Sequence, residues 1–269
     1  MEIIQSIILG IVQGLAEFLP ISSSGHLVLI SSLFHWQDQG LAFDVALHLG
    51  TLIAVLIYFR KDWKLIIKNS YLIKNLRILN FKLKTKELKS DMLFIIIIAT
   101  IPGVFVGLIL GDYAETVFRN PILVASTLFI GALLLFYADK IGRKNGDILK
   151  LTLKMGIIIG LFQAFAIIPG VSRSGITITA ALLLGFSRTS SARFSFLLST
   201  PIIIGAGIME FPNLLAGGLD INIFIGILTA TISGYMAIKY MLKYLENRNY
   251  NIFVGYRLVL ALVIFCLLR

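Results

Sequence analysis

Apolar residues run in long blocks along this chain, and two kinds of polar segment interrupt them: basic connectors, and short clusters of proline, serine and glycine set inside apolar stretches. Six blocks approach the roughly 17 to 25 residues that a helix needs to cross a bilayer. They lie at about 41 to 59, 92 to 111, 122 to 138, 194 to 212, 221 to 240 and 252 to 268, and predict six transmembrane helices. Two further apolar regions are cut near their middles. Residues 3 to 19 break at Pro20-Ile21-Ser22-Ser23-Ser24-Gly25, leaving Leu27 to Phe34; residues 155 to 168 break at Pro169 to Gly175, leaving Ile176 to Phe186. Helical arms of that length rise about 12 to 17 Å against a hydrocarbon core of about 30 Å, so neither crosses. Irregular backbone at membrane depth is tolerated where protein buries it or where it lines a wet cavity. The pattern therefore predicts an all-α integral membrane protein with six transmembrane helices and two re-entrant helical hairpins.

Composition agrees about the solvent. Hydrophobic residues make up 58% of the chain and charged residues 14%, against roughly 25% charged in an ordinary soluble domain. A net charge of +10 would suggest nucleic acid in a soluble protein, but here the basic residues sit in a few connectors, so the bilayer is the expected partner and nucleic acid is not. Residues 60 to 91 hold ten Lys or Arg, 139 to 154 five, 188 to 193 two and 239 to 250 three, which is twenty of the 24. The positive-inside rule makes that side cytoplasmic and places both termini outside. The run Lys82, Lys84, Lys86, Lys89 is read as a solvated topogenic loop, with contact to anionic headgroups as the alternative. A single cysteine, Cys266, excludes an internal disulfide and a thiolate metal cluster. No basic stretch precedes the first apolar run, so no cleaved signal peptide is expected and the chain is read as starting at Met1.

The two interrupted regions resemble each other. A shift of 150 residues lays Gln13 on Gln163, Ser22 on Ser172, Ser24 on Ser174 and Gly25 on Gly175, with Pro20 and Pro169 one position out of register. The repeating unit is one hairpin followed by three spans. Three is odd, so the second copy enters from the opposite face, which predicts an inverted-topology repeat with both hairpins directed at a shared site. One membrane domain results, with repeat one at about 1 to 138, repeat two at about 151 to 269, and a basic cytoplasmic loop between them.

The candidate chemistry lies in the hairpins. Gly170, Ser172, Arg173, Ser174 and Gly175 put a guanidinium fork, hydroxyls and glycine-flanked amides in one turn, a donor set suited to phosphate oxygens. The plainer alternative is a polar loop at the membrane surface. In the first hairpin, Gln13 and Glu17 are spaced i, i+4 and face the turn carrying Ser22, Ser23, Ser24 and His26. A carboxylate in an apolar helix is costly unless paired or functional, and pairing with Arg173 is the structural alternative. His26 is read as a nucleophile or a general acid or base. Asp44 and His48, also i, i+4, are read as structural rather than as a metal pair.

Gln13-Gly-Leu-Ala-Glu17-Phe-Leu-Pro-Ile-Ser-Ser-Ser-Gly-His26 and Pro169-Gly-Val-Ser-Arg-Ser-Gly-Ile-Thr177 resemble the two signature boxes of the bacterial undecaprenyl-diphosphate phosphatases, the bacitracin-resistance membrane family. The resemblance covers essentially the whole chain. It implies hydrolysis of undecaprenyl diphosphate to undecaprenyl phosphate and inorganic phosphate, which recycles the carrier lipid for the cell wall. Carried over by position, it implies site residues Glu17, Ser22, Ser23 and His26 from the first box, and Ser172, Arg173, Ser174 and Thr177 from the second. It also implies a divalent cation, magnesium or calcium, for which Glu17 is the candidate ligand, and a site opening to the outer face of a bacterial cytoplasmic membrane. Gln13 stands where many relatives carry a second acid, which removes one anionic ligand. A homodimer is a candidate partner state.

Within that reading His26 attacks or positions water and Glu17 orients it or holds the cation, while Ser23 or Ser172 remains an alternative nucleophile. Inverted repeats with broken helices around an anion site are also the architecture of secondary transporters, so a carrier-lipid flippase or anion transporter is the second function class. The Glu17 and His26 pair separates the two, because a transporter needs the anion grip but no acid-base group beside it. A purely structural scaffold leaves buried Glu17 and Arg173 unexplained.

Overall fold

Pro20 ends the first apolar stretch: α1 (Ile3–Phe18) stops two residues before it and α2 (Ser23–Leu33) restarts beyond the turn. The second interruption behaves in the same way. There α7 (Leu153–Ala164) tightens into a 3₁₀ turn at Phe165–Ile167, and α8 (Arg173–Leu183) restarts after Pro169-Gly170. Between and after these broken pairs come α3 (Gly40–Tyr58), α4 (Arg60–Asn69), α5 (Met92–Glu115), α6 (Pro121–Ile141), α9 (Arg188–Ala216), α10 (Ile221–Leu245) and α11 (Asn251–Leu267). The computed structural model describes residues 2–36, 40–71, 73, 91–115, 117–118, 120–216, 218 and 220–267. The basic run Lys82 to Lys89 lies outside the described residues.

Among the described residues, five helices, α3, α5, α6, α9 and α10, are long and apolar enough to cross a membrane. The block expected at 252 to 268 forms α11, apolar but only 17 residues long. Several helices overrun the apolar blocks that nucleate them, because capping carries them into polar sequence. Residues 188 to 193, expected in a basic connector, are helical: the Ser187 hydroxyl oxygen accepts the Ser190 amide at 3.1 Å, and Arg188 Nε donates to Asp139 at 2.6 Å. The basic segment after α3 likewise begins with a helix. In α4, Trp63 and Ile66 pack on the core while Lys61, Lys64 and Lys68 face outward.

Helices in lipid gain little from the hydrophobic effect against one another and associate by close packing through small residues. Gly14 lets α1 lie against α10, where a Cβ would strike Ser233 and the α10 backbone. The matching contact in the other half is α7 on α5, with Gly160 against Ala99. The first arm of each broken pair thus packs on a helix from the other half of the chain. The main core draws Phe18, Val55, Ile95, Leu135, Ile178 and Phe196 from both halves.

One polar node ties the C-terminal end of α6 to the N-terminal ends of α9 and α11. Asp139 accepts both Arg188 Nε and Nη2, and also the Tyr250 amide at 3.2 Å; the Tyr250 hydroxyl donates to the Arg188 carbonyl at 3.1 Å. Burial, reinforced by the Asp139 carboxylate, pushes the Tyr250 phenol well above its ordinary value, so it remains a neutral donor.

Candidate active site

Ser22 and Ser172 take the left-handed backbone conformation, with φ of 76° and 70°, a region that non-glycine residues seldom enter. Strain of this kind costs on the order of 1 to 3 kcal/mol and persists where the surroundings impose it. Each serine stands immediately before a restarted helix and caps it: Ser22 Oγ accepts the Gly25 amide at 3.4 Å, and Ser172 Oγ accepts the Gly175 amide at 3.1 Å. The two serines share this conformation and this capping role at the 150-residue offset seen in the sequence.

The turns also touch. The Gly170 amide donates to Ser22 Oγ at 3.1 Å, and the Ser174 hydroxyl donates to the Leu19 carbonyl at 3.2 Å. Beneath both lies Arg257 of α11, fully buried. Its guanidinium donates to the carbonyls of Pro20 at 3.2 Å, Gly170 at 3.0 Å, Val171 at 3.1 Å, Leu128 at 3.2 Å and Thr127 at 3.4 Å. Among the described residues no carboxylate pairs with it. By drawing the turn carbonyls to one side, Arg257 leaves the opposite side to amides. The backbone N–H groups of Ser23, Ser24, Ser172, Arg173 and Ser174 have no protein acceptor among the described residues. Two helix N-termini, each with free donors and a positive dipole end, therefore meet at one place.

Glu17, 4% exposed, reaches that place from α1. Its Oε1 accepts Arg173 Nη2 at 2.5 Å; its Oε2 accepts Gln13 Nε2 at 3.0 Å and the Ser23 hydroxyl at 2.7 Å, with His48 Nε2 at 3.3 Å. Arg173 also donates Nη1 to the Ser195 carbonyl at 2.8 Å, which leaves the rest of its fork free. Thr177, fully buried, donates to the Arg173 carbonyl at 2.8 Å and lies 2.7 Å from the Ser195 hydroxyl. Ser172 and Ser174 face each other at 3.3 Å. His26 lies in the first turn of α2, with Nδ1 at 2.6 Å from the Ser22 carbonyl and Nε2 at 2.6 Å from the Tyr256 hydroxyl. Among the described residues Glu17 and His26 share no hydrogen bond, so a Glu17 that orients His26, one of its two roles offered by the sequence, does not do so by direct contact here.

Sequence reasoning missed four participants. His48, read with Asp44 as structural, has Nδ1 2.7 Å from the Asp44 carbonyl and turns Nε2 to Glu17. Arg257 was open to the argument applied to Glu17, since it too is a charge inside an apolar block. Tyr256 and Ser195 carried no local signal.

The donor set does not fit a resident divalent cation. Glu17 is the one carboxylate in the cluster, and it already accepts from four neighbours. No group of three His, Cys, Asp or Glu that would hold a metal occurs among the described residues. Dedicated cation cages require several free oxygen ligands.

Broken helices whose N-termini, hydroxyls and arginine converge within a bundle of apolar helices define a multi-pass membrane protein with a cluster of polar donors inside it. The chain belongs to the family described as bacitracin resistance protein BacA, which matches residues 6–263. It is 47% identical over 264 residues to the undecaprenyl-diphosphatase of Moorella thermoacetica, covering 98% of this chain and 97% of that one. The undecaprenyl-diphosphatase of Elusimicrobium minutum is likewise 47% identical over 265 residues, with 98% and 97% covered. That of Pelotomaculum thermopropionicum is 44% identical over 267 residues, with 99% and 97% covered.

Proposed function

We infer that this chain is an undecaprenyl-diphosphatase, a multi-pass membrane hydrolase that converts undecaprenyl diphosphate to undecaprenyl phosphate and inorganic phosphate. Family membership over nearly the whole chain supports that activity, and with it carrier-lipid recycling and bacitracin resistance. The observation that carries the site is the convergence of the Arg173 fork with the free amides of both turns beside Glu17, Ser23 and His26. Phosphoryl transfer depends mainly on positioning and on neutralising charge over the phosphoryl oxygens.

In the proposed mechanism the terminal phosphate lies between the two helix N-termini. The amides of Ser23, Ser24, Ser172 and Ser174 hold its oxygens together with Arg173. Ser22, Ser172, Gly170 and Gly175 shape the turns, and Thr177 with Ser195 steadies Arg173. Glu17 orients Arg173 and Ser23, with Gln13 and His48 fixing the carboxylate. His26 Nε2 takes a proton from water as its oxygen bonds to the terminal phosphorus; the bridging P–O bond breaks and its electrons leave on the lipid phosphate. Any magnesium or calcium arrives as a complex with the diphosphate rather than as a resident ion. Adding either to substrate-free protein is therefore expected to leave Tm unchanged.

A second reading rests on the 2.7 Å contact between the Ser23 hydroxyl and Glu17, a nucleophile and base within reach of each other. Phosphoserine trapped at Ser23 by acid quench during turnover would establish it.

The repeat is read as two re-entrant hairpins of inverted topology, with α3, α5, α6, α9, α10 and α11 as six spans, the basic connectors cytoplasmic and both termini outside. Shared Ser22 and Ser172 geometry and the reciprocal packing of α1 on α10 and α7 on α5 support it. Every donor comes from one chain, so the chemistry needs no second copy.

The decisive experiment measures phosphate released from undecaprenyl diphosphate by purified protein in detergent. Glu17→Gln and His26→Ala are each expected to lower kcat by about 10² or more with KM within a few fold. Folded protein that releases no phosphate but moves the lipid across vesicles would instead make this a transporter.

A further inference from the structure

His26 has one ring nitrogen available for chemistry. Nδ1 lies 2.6 Å from the Ser22 carbonyl, which only accepts, so Nδ1 carries the hydrogen and the lone pair is on Nε2. That lone pair faces the Tyr256 hydroxyl at 2.6 Å. The two rings also stack, with centroids 5.6 Å apart and planes 11° from parallel. Tyr256 comes from α11, 230 residues away in sequence, and its neighbour Arg257 is bound to the carbonyls of both turns. The position of this phenol relative to the turns is therefore set by the residue that assembles them.

We propose that Tyr256 is a positioning residue for His26 in the hydrolysis. This rests on the reading of His26 as the group that takes the proton from water. A phenol hydroxyl both donates and accepts, so it matches both states of the imidazole. Before reaction it donates to the bare Nε2. When a water takes the place of this contact at Nε2, Nε2 accepts a proton from it; once the hydroxide oxygen has bonded to phosphorus, the new Nε2–H donates to the Tyr256 oxygen until the proton is released. The stacked ring holds the imidazole plane throughout. A tyrosine that served only as an interfacial anchor would direct its hydroxyl to lipid headgroups and not to a histidine that is 8% exposed.

The test compares Tyr256→Phe, which keeps the ring and removes the hydroxyl, with Tyr256→Ala, in wild-type and His26→Ala backgrounds. Tyr256→Phe is expected to lower kcat about tenfold with KM within twofold, Tyr256→Ala to lower it further, and neither to reduce the residual rate of His26→Ala. A tyrosine with a general structural role would lower activity in both backgrounds. The chain has only three histidines, so ¹⁵N-histidine labelling gives an independent readout. The His26 Nε2 resonance should move in Tyr256→Phe while those of His35 and His48 stay in place. Wild-type kcat together with an unmoved His26 resonance in Tyr256→Phe overturns the proposal. If His26→Ala itself retains full activity, the reading of His26 fails, and the NMR shift reports separately whether the pair exists.

Discussion

The Gly170 amide donates to the Ser22 hydroxyl oxygen across 3.1 Å, joining two turns that are 148 residues apart in the sequence. Neither turn is a self-sufficient anion nest. Ser22 caps its own helix and at the same time fixes the partner turn, so damage to either turn reaches the other.

Gly170 has φ of +90°, and a Cβ there would collide with Thr127 and with the Val124 carbonyl. Gly170→Ala is therefore expected to destabilise the protein by about 2 kcal/mol or more and to lower activity with it. Ser22→Ala, which removes the cap and the acceptor, should cost about 1 to 2 kcal/mol. Thermal melting in detergent measures both, and an unchanged Tm for Gly170→Ala would show that the turn adjusts without strain.

Arg257 donates to five carbonyls drawn from both turns and α6. Arg257→Leu takes the side-chain donor away from the turn carbonyls of Pro20, Gly170 and Val171, and Arg257→Lys supplies charge but not the planar fork. Both should lose about 3 kcal/mol or more of stability, with lysine rescuing little. A Lys variant melting near wild type would mean that charge alone holds the turns.

Arg173 differs from Arg257 in that part of its fork is free for phosphate. Arg173→Lys keeps a cation beside Glu17, so Tm should change little, whereas kcat/KM should fall by about 10² because bidentate contact is lost. Near-normal turnover in this variant would reduce the role of Arg173 to charge.

The proposed topology is tested by single cysteines in a Cys266→Ser background. A cysteine at Val117 should react with a membrane-impermeant reagent added outside intact cells, and one at Lys150 should react only after permeabilisation. The reverse pattern would invert the orientation and the side from which each hairpin enters.

Length and composition alone marked where the helices run and where they break, because both are local properties. Apolar blocks specify helices in lipid, and proline with serine and glycine stops them wherever it occurs, as at Pro20 and Pro169. The turn chemistry was legible for the same reason: Ser22, Ser23, Arg173 and Ser174 are adjacent in sequence to the breaks they serve. What only the tertiary structure decided is which side chains meet across the two halves. His48 reaches Glu17 as well as the Asp44 carbonyl, Tyr256 meets His26, and Arg257 lies under both turns. No local pattern encodes these contacts, because they depend on how α3 and α11 are rotated and packed. That rotation is set by small residues at helix crossings and by a buried guanidinium whose acceptors are backbone carbonyls, and a carbonyl looks the same at every position of a sequence.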